Sequence, residues 1–245
     1  NLWADAGFTV ASEQFPINEI QLQKFDLQNK GKVKTIKENG EITAYGNGFS
    51  VKWSNDGSLK SLKYNGKEML AQSAGFKTQP VVQAFRAPTD NDKGFGNWLA
   101  KDWITHGMDV PKVSMDFQFD SILQNGLFTL SVYKTIQFKS GKIKSIFHYS
   151  VKASGTIDLS VIFRKEGTLP DLPRLGIALA LSPELENYCW FGEGPWENYP
   201  DRKSSSTIGL WKSTVAEQLF PYPRPQETGN HEDIRFLTLT NDKKQ

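Results

Sequence analysis

The chain is dominated by short runs in which apolar and polar residues alternate, separated by Gly, Asn, Asp and Ser. A period of two predicts antiparallel strands with one buried and one solvent-exposed face. The first series lies at Gly40–Gly46, Phe49–Trp53 and Leu59–Tyr64. Asn47-Gly48 suits a type I′ hairpin turn, and similar turn residues follow at 55–57 and 65–66. The pattern therefore predicts a β-meander over residues 40–66.

The alternation returns after residue 110 in five further runs: Val113–Phe119, Leu127–Tyr133, Ile143–Tyr149, Thr156–Phe163 and Leu175–Leu181. Long strands with one buried face indicate stacked sheets, so the expected fold class is an all-β antiparallel sandwich. The segment Asn97–Ile104 is the one plausible helix.

The N-terminal residues are set apart from this pattern. Gly7–Phe15 predicts a strand followed by a proline, and residues 1–17 are interpreted as the end of a preceding domain. A linker is predicted over 18–37 and the sandwich domain over 38–245. The chain lacks an initiator Met and a charged-then-apolar signal layout, so we interpret it as an excised piece whose compartment stays open.

Composition narrows the function classes. The 29 Lys and Arg are nearly balanced by 27 Asp and Glu without a basic cluster, so no nucleic-acid partner is expected. The longest apolar runs fall short of the roughly 18 residues of a membrane span, so no membrane partner is expected. The single cysteine, Cys189, excludes an internal disulfide and a cysteine-based metal cluster, and its apolar neighbours predict a buried thiol.

The first candidate site is the loop at 85–97, which contains Arg86, Asp90, Asn91 and Asp92. The two aspartates could share a hard cation, but the EF-hand pattern fails at its fifth, sixth and twelfth positions. Three interpretations remain open. The side chains cap turns and pair with Arg86, which is the favoured one; they contact sugar or another domain; or they bind a metal.

The second candidate site is the loop at 190–202, where carboxylates and aromatic rings alternate as in carbohydrate sites. Its candidate residues are Glu193, Trp196, Glu197, Asn198, Tyr199, Asp201 and Arg202. Glu193 and Glu197 are four positions apart in a Gly-Pro loop, which fixes no separation between their carboxyl groups, so a hydrolytic pair is disfavoured. We further hypothesise that Arg86 pairs with Glu197 or Asp201 and so holds the two loops together.

Other catalytic patterns are unsupported by the sequence. There is no Gly-x-Ser-x-Gly elbow, phosphate-binding glycine loop or zinc spacing. The histidines His106, His148 and His231 occur in unrelated contexts, and His148 reads as a structural residue on a strand. The residues alone thus lead to a β-sandwich with two unusual loops.

Those loops carry a resemblance. Phe85–Asp92 resembles the Arg-Ala-Pro-x-Asp-Asn-Asp signature of the β-galactosidase small-chain module, and Gly192–Arg202 resembles its Gly-x-Gly-Pro-x-Glu-Asn-Tyr-x-Asp-Arg signature. Pro221–Gly229 is similar to the family's Tyr-x-x-Pro-Gln-Glu-x-Gly stretch, and Phe8–Phe15 looks like the end of the preceding immunoglobulin-like domain. The match spans most of the chain.

The resemblance implies a β-supersandwich of the galactose mutarotase-like superfamily. It also implies a parent enzyme of glycoside hydrolase family 2 that hydrolyses terminal β-D-galactosyl residues with retention, using two glutamates in an upstream barrel. Neither glutamate can be assigned here. The expected partners are the other domains of the parent and β-galactoside sugars; no cofactor is expected in this region, and any Mg²⁺ or Na⁺ of the parent is expected elsewhere.

The resemblance further suggests that the chain stops before the family's last strands. We therefore expect an exposed sheet edge and self-association into a homo-oligomer. The resemblance favours a non-catalytic C-terminal module that contributes scaffold and carbohydrate contacts, and two alternatives to it stay open. One is an autonomous mutarotase-like epimerase, with Glu193 or Glu197 as base and His231 or His148 as acid. The other is a stand-alone carbohydrate-binding module that uses Trp98, Trp196 and Tyr199.

Overall fold

The structure is a computed structural model, and it describes residues 3–17, 31–71, 79–94, 98–114, 119–124 and 126–243. The described residues fall into two compact units. The first unit contains residues 31–183, and the second unit joins residues 3–17 to residues 184–243. Each unit carries one of the two signature loops.

The first sheet of the first unit is the predicted meander. Its strands pair in chain order: β1 (Lys34–Glu38), β2 (Glu41–Gly46), β3 (Phe49–Trp53), β4 (Leu59–Tyr64) and β5 (Lys67–Glu68). Two of its turns have positive φ at both central residues, as type I′ requires: 52° and 78° at 39–40, and 49° and 78° at 65–66. The type I′ turn predicted at Asn47-Gly48 is wrong, because only Gly48 has a positive φ there.

The second sheet of the first unit has the order β11-β10-β9-β7, and β8 also pairs with β9. These strands are β7 (Lys112–Ser114), β8 (Phe119–Gln124), β9 (Leu127–Gln137), β10 (Gly141–Val151) and β11 (Ile157–Gly167). A two-stranded pair of β6 (Val81–Gln83) and β12 (Gly176–Ala178) completes the unit. The strand predicted over 113–119 is therefore two strands, and part of that prediction, residues 115–118, lies outside the described residues.

The main core forms where the two sheets face each other. Trp53 of the meander is buried against Phe128 and Tyr149 of the second sheet, with ring centroids 5.6 and 5.4 Å apart. Alternating residues of β9 and β10 fill the same cluster, because a period of two places every second side chain on the core face. The predicted all-β sandwich is confirmed.

A second core positions the first loop. Helix α2 (Leu99–Thr105) buries Ala100 and Trp103 against Ile136 and Ile143 of the second sheet. The helix confirms the prediction over 97–104, with Asn97 outside the described residues. A short helix, α1 (Asp90–Lys93), precedes it and was not predicted.

The second unit is built on a three-stranded sheet with the order β14-β13-β15. Its strands are β13 (Asn187–Gly194), β14 (Thr207–Thr214) and β15 (Phe236–Thr240), and a 3₁₀ helix spans Ala216–Gln218. Cys189 lies on the central strand and is only partly buried, so the prediction of a buried thiol is wrong in degree.

The predictions for the N-terminal region are corrected in two places. No strand is present in the described segment 3–17, where Gly7–Phe15 predicted one; instead Gln14 bonds through its side-chain amide to the backbone of Ile208 at 2.9 and 2.7 Å. The contact of one side chain, Gln14, thus stands where a backbone ladder was expected. The predicted linker 18–37 ends inside β1, and its residues 18–30 lie outside the described residues. The assignment of residues 1–17 to an immunoglobulin-like domain stays a prediction.

The buried Lys134 of β9 gives the first unit a pH-dependent stability. Its side chain is only 4% exposed; Nζ donates to the carbonyl of Pro80 at 2.9 Å and lies 5.0 Å from the ring centroid of Phe147. Burial lowers the pKa of Lys134 to about 8, although the carboxylate of Asp56 opposes the shift. Between pH 8 and the ordinary pKa of 10.5, the unfolded chain holds more protons than the fold.

We therefore expect stability contributed through Lys134 to rise with pH, by roughly 2–3 kcal/mol from pH 7 to pH 10. Urea unfolding of the wild-type chain and of Lys134→Met across this range isolates the effect, because all other titrating groups are shared. The free energy of unfolding of the wild-type chain minus that of Lys134→Met should rise by this amount from pH 7 to pH 10. A pH-independent difference would contradict the assignment.

Candidate functional site: two signature loops

A buried ion pair organises the first loop. Arg86 Nη1 donates to Asp92 Oδ2 at 2.5 Å, and Nη2 donates to Oδ1 at 3.1 Å. Thr89 adds its backbone N–H at 2.7 Å and its hydroxyl at 2.9 Å to the same carboxylate, whose side chain is 8% exposed. Burial raises the pKa of Asp92, but the hydrogen bonds from Arg86 and Thr89 outweigh it, so this pKa lies below its usual value.

The ion pair is anchored to the second core. The Arg86 guanidinium lies 5.5 Å from the centroid of the Trp103 ring, and Phe85 meets that ring edge-on at 6.4 Å. The Trp103 indole N–H donates to the carbonyl of Asp171 at 3.0 Å. Asp90 and Asn91 lie on α1 and are exposed. The loop is thus a fixed structural turn with two polar side chains on its outer surface.

Glu197 is the centre of the second loop. Its carboxylate accepts hydrogen bonds from the Tyr222 hydroxyl, from Arg202 Nη2 at 2.5 Å, from the Gly229 N–H at 2.7 Å and from the Thr228 hydroxyl at 3.1 Å. Burial raises the pKa of Glu197, but these donors together hold it below its usual value. A carboxylate with four donors organises the loop, and it is a weak base near neutral pH.

Asn198 fixes the backbone next to Glu197. It is fully buried, and all four of its hydrogen-bonding groups are used within the second unit. Its side chain donates to the Trp196 carbonyl at 3.3 Å and accepts from the Glu232 N–H at 2.7 Å. Its backbone N–H donates to the carbonyl of Asn230 at 2.8 Å, and its carbonyl accepts from the Asn230 side chain at 2.7 Å. The loops at 195–202 and 228–232 are therefore joined.

The remaining predicted residues of this loop differ in accessibility. Trp196 is 72% exposed. Tyr199 and Arg202 close a tight turn, and the guanidinium lies 5.2 Å from the Tyr199 ring centroid. Burial, followed by the charge of Glu197, raises the pKa of Tyr199 to about 12. Asp201 is exposed at the tip of this turn.

The hypothesis that Arg86 joins the two loops stays a prediction, because the loops lie in different units. Arg86 pairs with Asp92, and Glu197 pairs with Arg202, so each loop has its own internal ion pair. Arg202 was placed in the site by the sequence, but its role was missed. The five-residue spacing between Glu197 and Arg202 did not indicate that they pair, because the pairing depends on a turn that brings them together.

Glu193 belongs to a separate ionic cluster around Lys203. The ammonium lies 2.8 Å from Glu232, 3.0 Å from Asp233 and 3.8 Å from Glu193. Burial is the main cause of a raised pKa at Glu193, and the neighbouring Asp233 adds to it. Hydrogen bonds to Glu232 and Asp233 raise the pKa of Lys203.

The histidines give little support to acid–base chemistry. His231 Nε2 lies 2.6 Å from Gln218 Oε1, and burial lowers the pKa of its imidazole. Its ring packs against Trp190 with centroids 4.5 Å apart. His148 Nδ1 lies 2.8 Å from the Ser131 hydroxyl across neighbouring strands. Both histidines are thus engaged in the surrounding structure.

In the part of the chain that the structure describes, no three or more His, Cys, Asp or Glu side chains are grouped so as to hold a metal ion. None of the described helices is long and apolar enough to cross a membrane.

Comparison with known proteins identifies the family. A family model described as beta galactosidase small chain matches residues 45–244, and both signature loops lie inside that range. The chain belongs to the β-galactosidase small-chain family. Its resemblance to that family, first indicated by the two loops, is confirmed.

Two β-galactosidases match nearly the whole of this small-chain sequence, and a third matches 75% of it. It is 33% identical to the β-galactosidase of Lactobacillus delbrueckii subsp. bulgaricus over 246 residues and 30% identical to that of Priestia megaterium over 248 residues. Each alignment covers 98% of this chain and 22% of the relative. The β-galactosidase of Kluyveromyces lactis is 32% identical over 191 residues, which is 75% of this chain and 18% of the relative. The small-chain sequence thus spans about a fifth of the length of these relatives.

Several residues of the small-chain loops were missed by sequence reasoning. Tyr222, Thr228 and Gly229 supply three of the four donors to Glu197. They lie in or beside the Pro221–Gly229 stretch, which carried part of the resemblance, so a signal was available. Nothing in the sequence indicated that this stretch contacts Glu197.

Proposed function

We propose that this chain is a non-catalytic part of a retaining β-galactosidase that hydrolyses terminal β-D-galactosyl residues. In this proposal it supplies scaffold and carbohydrate contacts, and its partners are the other domains of the parent enzyme and β-galactoside sugars. Membership of the β-galactosidase small-chain family supports the class of enzyme. The observation that carries the sugar contact is a highly exposed indole, Trp196, on a loop fixed by buried hydrogen bonds.

The rigidity of the loop is what suits it to binding. The Trp196 carbonyl accepts from buried Asn198, and the next residue, Glu197, is held by four donors. Because the backbone is already ordered, little conformational entropy is lost when a ligand stacks on the ring. An exposed indole offers a flat apolar face of the kind that sugar rings cover.

The same geometry supports placing hydrolysis outside this chain. Glu197 is committed to organising its loop, and Glu193 belongs to the cluster around Lys203. A retaining mechanism requires two carboxyl groups about 5 Å apart, one of them free to attack the sugar. The proposal therefore assigns the nucleophile, the acid and any Mg²⁺ or Na⁺ to other parts of the parent enzyme.

The test uses lactose binding to the 245-residue chain, measured by saturation-transfer NMR. We expect weak binding that Trp196→Ala reduces about fivefold to tenfold, because an aromatic contact contributes about 1 kcal/mol. Trp98→Ala is the matched control, since Trp98 is also an exposed indole but lies outside this loop. Equal losses in both variants would reject the assignment to Trp196.

Activity assays on the same chain separate the competing functions. We expect no hydrolysis of an aryl β-galactoside and no catalysed mutarotation of galactose by polarimetry. Hydrolysis would overturn the non-catalytic role, and mutarotation would favour the epimerase. If the chain binds lactose but Trp196→Ala does not change the activity of the whole enzyme, a carbohydrate-binding module would be favoured.

A further inference from the structure

The strand β11 ends the second sheet of the first unit with an open edge. It pairs with β10 over all eleven of its residues. In the part of the chain that the structure describes, no strand pairs with its other side. An edge of this length exposes a row of backbone donors and acceptors that can pair with another chain.

The outward groups can be identified from the hairpin that leads into β11. Lys152 N–H donates to the Thr156 carbonyl at 2.9 Å, so Thr156 directs its backbone groups toward β10. Because these directions alternate along an antiparallel strand, the odd-numbered residues direct theirs outward. They are Ile157, Leu159, Val161, Phe163 and Lys165.

The edge has neither a proline nor a bulge to protect it, although it carries charged side chains, among them Lys165. β11 contains no proline, and its register with β10 runs from Ile157 to Gly167 without a bulge. Its core-facing residues Leu159, Val161 and Phe163 remain only partly buried. A further strand along this edge would complete both the hydrogen-bond ladder and the burial of these side chains.

The charges on β11 are complementary to those on the β11 of a second copy. Asp158 and Arg164 are exposed, lie on the same face, and are each three positions from Val161. In an antiparallel pair of two copies centred on Val161, Asp158 of each copy lies opposite Arg164 of the other. We propose that two copies of this chain associate through β11 in this register.

Neighbouring registers are less favourable. A two-fold axis perpendicular to the sheet keeps the core-facing side chains of both copies on one side, so the axis must pass through a residue. Centring on Ile162 places Asp158 opposite Glu166, which is a like-charge pair. Centring on Ser160 places Asp158 opposite Ile162 and leaves Arg164 opposite Thr156.

The existing ion pair at Asp158 is compatible with the dimer. Lys152 Nζ lies 2.8 Å from Asp158 Oδ2, and the side chains are 40% and 58% exposed. An exposed carboxylate has further lone pairs with which it can accept from a guanidinium. Since Asp158 and Arg164 fall on the positions that do not exchange backbone hydrogen bonds, their side chains lie close together.

The first test is analytical ultracentrifugation of the 245-residue chain over a dilution series. We expect a reversible dimer. Asp158→Arg or Arg164→Asp should each raise the dissociation constant by about tenfold or more, because each places like charges opposite one another twice. The double variant Asp158→Arg/Arg164→Asp should restore the dissociation constant to within about threefold.

Lys63→Glu is the control, since it reverses an exposed charge on β4, away from this edge. It should leave dimerisation unchanged. A chain that stays monomeric at every concentration overturns the proposal. It is also overturned if the double variant stays as weak as the single ones, because the charges then do not meet.

The second test fixes the register by cross-linking in a Cys189→Ser background. In the proposed dimer, residue 160 of one copy lies opposite residue 162 of the other, in a pair that suits a disulfide. The double variant Ser160→Cys/Ile162→Cys should therefore form a covalent dimer on mild oxidation. Neither single variant should, and a dimer from Ile162→Cys alone would mean the rejected register centred on Ile162.

Discussion

Replacing Arg86 by alanine will lower the free energy of unfolding of the first unit by about 3 kcal/mol. The reason is the buried carboxylate of Asp92, which keeps only the two donors of Thr89 once the guanidinium is removed. The variant also loses the contact between Arg86 and the Trp103 ring. Urea unfolding followed by circular dichroism measures the loss.

A double-mutant cycle shows whether Asp92 is the cause. Asp92→Ala should cost much less in the Arg86→Ala background than in the wild type, because the pair is already broken. Lys93→Ala is the matched control, because Lys93 is an exposed cation on α1, the helix that contains Asp92. Its removal should change the free energy of unfolding by less than about 0.5 kcal/mol. Additive effects of Arg86 and Asp92 would show that the pair is not coupled.

Acid unfolding is a second measurement of the ion pair between Arg86 and Asp92. The folded pKa of Asp92 lies below its ordinary value of 3.8, so the fold holds fewer protons than the unfolded chain at pH values around and below 3.8. The stabilisation is therefore complete at neutral pH and is lost as pH falls through the folded pKa. Arg86→Ala should flatten this part of the acid profile.

Replacing Glu197 by glutamine will destabilise the second unit by about 2–4 kcal/mol. Glutamine has nearly the same shape but only one acceptor oxygen, so it cannot satisfy four donors. The side chain is 13% exposed, which limits how far water can replace the lost bonds. Hydrogen exchange of the Gly229 amide, which donates to Glu197, should become faster.

The control for Glu197 is Asp201→Asn. It makes the same chemical change on the same loop, but at an exposed position. It should leave the unfolding curve within about 0.5 kcal/mol of wild type. If Glu197→Gln behaved like this control, Glu197 would not be the organiser of the loop. In that case the second prediction would fail without affecting the family assignment.

The strands whose structure depends on neighbouring residues could be predicted from the sequence. The meander strands were predicted within one residue of their observed ends at Glu41–Gly46, Phe49–Trp53 and Leu59–Tyr64. Their alternation is a local property, and the two sheets had only to bury the faces that it defines. The strand predicted over Gly7–Phe15 failed because alternation by itself supplies no partner for a ladder.

Site residues divide in a similar way. Composition and motif placed Trp196, Glu197 and Asn198 in one loop, and the exposed and buried members of that loop could not be told apart from the sequence. The favoured interpretation of the first loop, in which its side chains pair with Arg86, agrees with the Arg86–Asp92 ion pair, but the sequence did not indicate which carboxylate is the partner. Any carboxylate in either loop is chemically acceptable, so the answer depends on distance, which only the folded chain determines.

The fold class, the family and the main strands of the two sheets of the first unit could be predicted from the sequence, because alternation and loop motifs are properties of neighbouring residues. Only the folded chain shows which of the conspicuous polar residues are structural. Asp92 and Glu197 are held by donors up to 32 residues away, and those donors meet them only after the turns have formed. It also shows that, among the described residues, no strand pairs with the outer edge of β11, since pairing order is a property of the sheet and not of any one segment.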